Sequence, residues 1–399
     1  MAFQVRYMGS KRSLAGQICA HISDENPGAP VLDVFSGMCA VGAELAPRHR
    51  LLTNDAHSFA KTVAEALFVC DGPPPTSLHA RDELADVYAE NASALRQAVR
   101  EELRQEAEVL GRVSEASGWR KLVAFNDAQL EIRVPNLPAP GAKIYQLVTG
   151  YFSFGYFGLA QSIELDSLRC AIDAACPERR PYYLSCLLRA ASECAASPGH
   201  FAQFLVPRDK RTAAYIAKMR TRSILDRFYR ALDEFKQVDC ADRENNIAYC
   251  GDATALLEAG DVSNIDGLVI YADPPYSRAQ YSRYYHVLET LVKYDYPDCL
   301  GKGRYRTDRF STGFSLRAKV TEEMRRFAKA SSSIGAQLYL SYPTNGLLYK
   351  AGSSVEDVLR ESYPFVERIA SVPLKHSTMG GAPGNASIMV TEDVYRARF

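Results

Sequence analysis

The hydrophobic positions of this chain fall into two regimes. Near the start, Val31-Leu32-Asp33-Val34-Phe35 is a short, nearly continuous apolar run that stops at Ser36-Gly37. Runs of this length ending in a glycine turn predict buried strands. Residues 40–46 have helical character, and Arg50-Leu51-Leu52-Thr53 is a second strand ending at Asn54-Asp55. Strand, turn, helix and strand in that order open a βαβ unit. Gly267 to Ala272 predicts another buried strand, running directly into Asp273-Pro274-Pro275-Tyr276, and Ala336 to Tyr342 and Ala386 to Thr391 repeat the strand character. Strands alternating with helical stretches predict an α/β sheet.

The middle of the chain follows a different period. Gly72-Pro73-Pro74-Pro75 marks a boundary, after which Leu84, Tyr88, Leu95, Val99, Leu103 and Leu110 recur at helical spacing. This predicts an amphipathic helix over 82–110, straight or bent back on itself. A second break with three prolines covers 135–141, and 160–236 is expected to be largely helical. The predicted organisation is an α/β domain made of 1–70 and 246–399, interrupted by a mostly helical insertion over 71–245.

Composition narrows the class. The chain has 399 residues, 47% of them hydrophobic, which is enough for a large core and long for one ordinary domain. Basic and acidic residues balance at 47 each, so a uniformly cationic coat is excluded and charge has to be read locally. The ten cysteines include no Cys-x-x-Cys pair, so they are expected to be reduced core residues with no metal site. The N-terminus lacks a secretory pattern, and no apolar run reaches membrane-spanning length. A soluble cytoplasmic protein is expected.

The strongest chemical signal is Asp273-Pro274-Pro275-Tyr276 at the end of a buried strand. A chance match in a chain this long is on the order of a few in a thousand, and the competing reading is a plain strand-terminating turn. The combination suits an exocyclic amine on an aromatic base, a poor nucleophile because its lone pair is delocalised. A carboxylate and a backbone carbonyl that accept its two N–H protons favour tetrahedral nitrogen and stabilise the growing positive charge. Consecutive prolines fix the backbone and leave only acceptors. Tyrosine offers a face for an extruded base.

Three weaker signals accompany it. Asp33 to Gly42 places glycines at a strand-to-helix turn, where a nucleotide-like ligand can approach the backbone. Asn54-Asp55 ends the next strand, where an acid can hold ribose hydroxyls. Tyr7-Met8-Gly9-Ser10-Lys11 is a short turn with a lysine. Each alone is commonplace. In this order, with Gly251-Asp252 ahead of Asp273, the set resembles the DNA adenine-N6 methyltransferase family that begins with a cofactor-clamping motif. Leu340-Ser341-Tyr342 and a Lys375-His376-Ser377 loop look like that family's weaker C-terminal elements. Cys39 stands where the family usually has a second glycine, and altered cofactor contacts are expected there.

The resemblance implies a Rossmann-like S-adenosylmethionine-dependent methyltransferase sheet with an inserted recognition domain. It implies that Asp33, Phe35 and Gly37 line the methionine and ribose side of S-adenosylmethionine, and that Tyr7, Gly9 and Lys11 close over it. Asn54 and Asp55 would serve the ribose, and Asp252 with Ala253 the adenine. Asp273, Pro274, Pro275 and Tyr276 would be catalytic, and no metal is required. Two basic stretches, one with Arg220 and Arg222 and one with Lys302, Arg304, Arg306 and Arg309, are candidates for contacting double-stranded DNA, against the alternative of a solvated face. The aromatic run 151–158 is either core or a wall of the base pocket. N4 of cytosine, an RNA adenine, and a non-catalytic nucleic-acid-binding module remain alternatives, and a restriction or defence nuclease is a candidate partner.

Overall fold

The computed structural model describes Lys11 and residues 13–131, 143–377 and 387–399. Nine strands are present among these: β1 (Val31–Asp33), β2 (Leu51–Asp55), β3 (Ile247–Cys250), β4 (Val269–Ala272), β5 (Cys299–Leu300), β6 (Tyr305–Arg306), β7 (Gln337–Pro343), β8 (Phe365–Ser377) and β9 (Ser387–Arg398). Seven form one sheet in the order β3-β2-β1-β4-β7-β9-β8, and β5 and β6 form a small antiparallel ribbon. β3, β2, β1, β4 and β7 run parallel, whereas β9 is antiparallel to both β7 and β8.

Successive strand residues point to opposite faces, and both faces are covered. Val31, Leu51, Val269, Tyr271 and Tyr339 pack into one core with helices that include Ala15–Glu25, Ser58–Ala64, Arg180–Cys194 and His286–Lys293. Leu32, Leu52, Ile270, Leu338 and Leu340 pack into a second core with Ala253–Ala259, Val320–Ser333 and Val355–Arg360. Burial on both faces is why these strands read as continuous apolar runs. Each such Val, Leu or Ile stabilises the fold by about 1.5–3 kcal/mol.

The connection from β2 to β3 carries the long helical stretch. Leu159–Ala174, Arg180–Cys194 and Ile224–Asp233 share the first core with the sheet, and Ala92, Leu95, Val99, Phe154, Leu159 and Ile163 form a satellite cluster beside it. The helix expected over 82–110 is two helices, Ser77–Ala98 and Arg100–Gly111, divided at Val99, whose backbone (φ −117°, ψ 32°) leaves the helical region. The helix expected over 40–46 is the single turn Gly42–Leu45. The proline-rich break expected over 135–141 lies outside the described residues.

Two strands of the seven-stranded sheet were not expected from the sequence. β3 is an edge strand with exposed and half-buried residues, and β8 is the opposite edge, where Phe365, Glu367 and Arg368 lie toward solvent. Lys375-His376-Ser377, expected in a loop, belongs to β8 and pairs with Met389, Ile388 and Ser387. Of the ten cysteines, Cys19, Cys39, Cys186 and Cys194 are buried, and Cys250 is exposed. Among the described residues no helix is long and apolar enough to cross a membrane.

Candidate active site

The strand order turns at β1, with β2 and β3 on one side and β4 and β7 on the other. In open α/β sheets the crevice beyond the carboxyl ends of the strands at such a point is where ligands bind. Here it is a cleft of about 990 Å³, open mouth included. It brings together Lys11, Asp33, Phe35, Gly37, Asn54, Asp55, Asp252, Ala253, Asp273, Pro274, Pro275 and Tyr276 from segments far apart in the chain. Tyr7 and Gly9 lie outside the described residues.

The strand ends are tied to one another. The Asn54 side-chain amide donates to the carbonyls of Val34 (3.1 Å) and Gly251 (3.2 Å), spanning the ends of β1, β2 and β3. Its amide is thus spent on the scaffold, which makes it a staple of the cleft floor. Gly37 takes φ +48° and donates its N–H to Oδ2 of Asp55 at 3.0 Å. Oδ1 of Asp55 accepts the N–H of His57 (2.9 Å) and meets His57 Nδ1 at 2.8 Å. Burial alone would lower the His57 pKa, but the Asp55 hydrogen bond and charge raise it above the ordinary value. Asp252 accepts the N–H of Ala255 at 2.9 Å and so caps helix Ala253–Ala259.

Cys39 has φ +61°, is fully buried and does not line the cleft. The turn asks for a left-handed residue at this position, which glycine adopts freely and a cysteine adopts at a cost of about 1–3 kcal/mol. The Cys39 side chain therefore bears on the turn through its backbone and does not itself face the cleft.

The charges at the cleft are unusually coupled. Asp33 is buried, its Oδ1 has no hydrogen-bond partner among the described residues, and its pKa is pushed up to about 8. Burial is the main cause, with Asp273 and Asp55 adding to it and a backbone hydrogen bond from Gly42 opposing it. Lys11 answers this negative potential. Its Nζ stands 2.8 Å from Asp273 Oδ1 and 2.9 Å from Glu392 Oε1, and 5.3 Å from the centre of the Tyr276 ring. Burial would lower the lysine pKa, but the two carboxylates outweigh it and hold the ammonium above its ordinary value.

Comparison with known families gives the same answer as this arrangement. The family described as D12 class N6 adenine-specific DNA methyltransferase matches residues 7–105 and 207–341, more than half of the chain. The chain belongs to this family. Among its relatives, it is 22% identical to modification methylase LlaI of Lactococcus lactis subsp. lactis over 326 residues, which is 80% of this chain and 43% of that protein. It is 28% identical to type II methyltransferase M.FokI of Planomicrobium okeanokoites over 196 residues, 49% of this chain and 26% of that protein. The matches thus span less than half the length of either relative.

Several residues at or beside the cleft of this D12-family chain escape sequence reasoning. Glu392, fully buried on β9 opposite Pro343, does not line the cleft but pairs with Lys11 behind it, and lies beyond the matched segments. His57, Tyr281, Phe310 and Thr312 line the cleft, and the Phe310 carbonyl is held by the Ser282 hydroxyl at 2.6 Å.

The basic stretches differ from the expectation. Arg220 is buried, donating to Asn126 and the Phe154 carbonyl and facing Glu106, so it is an internal anchor with no surface for DNA. Arg306 is likewise buried, held by Asp295 and Asp308. Arg222 is half-buried and donates to the Glu193 carbonyl. Arg309 donates to the Arg306 carbonyl and lies over the Tyr305 ring. Lys302 is exposed, and Arg304 is half-buried with φ +54°. Within the aromatic run, Phe152, Phe154, Tyr156 and Phe157 are buried, and none of 151–158 lines the cleft. This run is core.

Proposed function

We propose that this chain transfers a methyl group from S-adenosylmethionine to the N6 amine of adenine in double-stranded DNA. The observation that carries this is the meeting of Asp273-Pro274-Pro275-Tyr276 with the Gly37 turn of β1 in one cleft, with Lys11 bridging to Asp273. The cleft suits the cofactor. The buried Oδ1 of Asp33 lacks a partner among the described residues, Gly37 leaves the backbone open to close approach, and Asp55 and Asp252 stand at the ends of the next two strands.

S-adenosylmethionine supplies, when bound, a sulfonium-activated methyl group that needs no metal. Asp33, Gly37, Asp55 and Asp252 with Ala253 are the residues that would hold it. Asp273 and the Pro274 carbonyl would accept hydrogen bonds from the two N–H groups of the target amine, localising its lone pair and stabilising the charge that develops on nitrogen, and one of these protons leaves once the methyl group has been added. Lys11 fixes the carboxylate of Asp273 in one place and balances its charge, so that the acceptor is preorganised. Tyr276 gives the extruded base a flat face.

The segment 71–245, largely helical over its described residues, is the region we assign to target recognition. Supporting this, the family match is interrupted between residues 105 and 207 while the flanks are retained. One relative's name as a modification methylase supports a companion restriction nuclease as partner. The test is incubation of the protein with labelled cofactor and either duplex DNA or RNA, followed by nucleoside analysis. N6-methyladenine from DNA is the expected product; N4-methylcytosine, or label only in RNA, overturns the assignment.

A further inference from the structure

We propose that Arg278, Arg317 and Lys350 form a pocket that grips a backbone phosphate of the substrate strand beside the target nucleotide, an inference that rests on the proposed DNA methylation. The three side chains come from separate segments: the loop after β4, the segment before helix Val320–Ser333, and helix Leu347–Lys350. They line one pocket with Tyr276, Ser277 and Leu347.

All three are exposed, none makes an ion pair or hydrogen bond among the described residues, and no carboxylate lines the pocket. By contrast, the exposed arginines of helix Val320–Ser333 have acidic partners, Arg325 with Glu361 and Arg326 with Glu258. Three cations converging without a counter-charge repel one another, a cost that an anion in the pocket removes.

The position identifies the anion. Tyr276 lines both this pocket and the Asp273 cleft. Its carbonyl accepts the N–H of Leu347 at 2.8 Å, which ties the Lys350 helix to the catalytic loop. A base turned into the cleft leaves its sugar and flanking phosphates at the rim, one tyrosine away from the cations. Gripping the backbone in this way fixes the position of the strand and carries no sequence information. The positive charge here comes from residues that only the fold brings together.

The test is duplex binding across a salt series by the wild type and by the triple variant Arg278→Ala, Arg317→Ala, Lys350→Ala, with the melting temperature and binding of S-adenosylmethionine as checks of folding. Each phosphate that the variant no longer neutralises lowers the slope of log K against log salt by about 0.9. The expected result is a slope lower by about 2–3, affinity lower by at least about tenfold on any sequence, and unchanged cofactor binding. Wild-type slope and affinity in the variant overturn the pocket while leaving DNA methylation standing. Loss of inorganic phosphate binding with an unchanged duplex slope makes it a small-anion site and overturns the backbone assignment. A wild-type protein that binds no duplex overturns both.

Discussion

Lys11 Nζ lies 2.8 Å from Oδ1 of Asp273, so the N-terminal segment and the end of β4 share one buried ion pair. Removing one partner from such a pair costs about 3–5 kcal/mol, because a buried charge is left uncompensated. Lys11→Met strands both Asp273 and Glu392. We expect unfolding free energy to fall by about 3 kcal/mol or more, and methylation by about 10²-fold or more. Glu392→Gln leaves the Lys11–Asp273 pair in place and is expected to lose less of both. Denaturant unfolding and labelled-cofactor assays on the two variants check that order; a larger loss in Glu392→Gln contradicts it.

Asp33 makes stability depend on pH in the direction opposite to an ordinary paired carboxylate. Its pKa is about 8 in the folded chain against a normal 3.8. Between those values the folded state holds a proton that the unfolded chain has released, so the Asp33 contribution falls as pH rises through that window. Asp33→Asn removes the effect. From pH 5 to pH 8 the wild type should lose up to about 4 kcal/mol relative to the variant, read from unfolding curves at both pH values. Parallel behaviour of the two proteins rules out the buried, neutral Asp33.

What was legible in the sequence follows from burial. β1, β2, β4 and β7 were readable because each is buried on both faces and carries adjacent apolar residues, such as Val31-Leu32, Leu51-Leu52, Val269-Ile270-Tyr271-Ala272 and Leu338-Tyr339-Leu340. β8 was not, because Glu367 and Arg368 interrupt its apolar positions, and β3 was not, because Ile247-Ala248-Tyr249-Cys250 is too short a run to tell a strand from a helix segment. The cleft was largely legible because its residues sit at strand ends, where chemistry-bearing types stand next to apolar runs. Glu392 was not, since a glutamate in a Thr-Glu-Asp triplet reads as solvated until Lys11 is seen beside it. The basic runs misled for the converse reason: a string of arginines does not say which of them, like Arg220 and Arg306, are already paired inside.

Cys39 holds a left-handed backbone that its side chain opposes. Cys39→Gly relieves that strain while giving up a small buried side chain, and the variant should be at least as stable as the wild type. Cys39→Val adds a β-branched residue at the same φ and should lose about 2–3 kcal/mol. Chemical denaturation of both variants checks the contrast; a fully stable Cys39→Val contradicts the strained turn.

Arg220 is a structural residue in a stretch that looks like a DNA-binding run. Arg220→Ala leaves Glu106 buried opposite an empty site and should cost about 3–5 kcal/mol. Lys302→Ala, at an exposed position, should change stability by less than about 0.5 kcal/mol. Thermal unfolding of the pair decides it, and equal stability of the two variants contradicts the burial of Arg220.

The most direct measurement is nucleoside analysis of duplex DNA treated with S-adenosylmethionine and either the wild type or Asp273→Asn, with cofactor binding followed in both. The account predicts N6-methyladenine from the wild type, none from the variant, and cofactor bound by each. N6-methyladenine at the wild-type level from Asp273→Asn would contradict it.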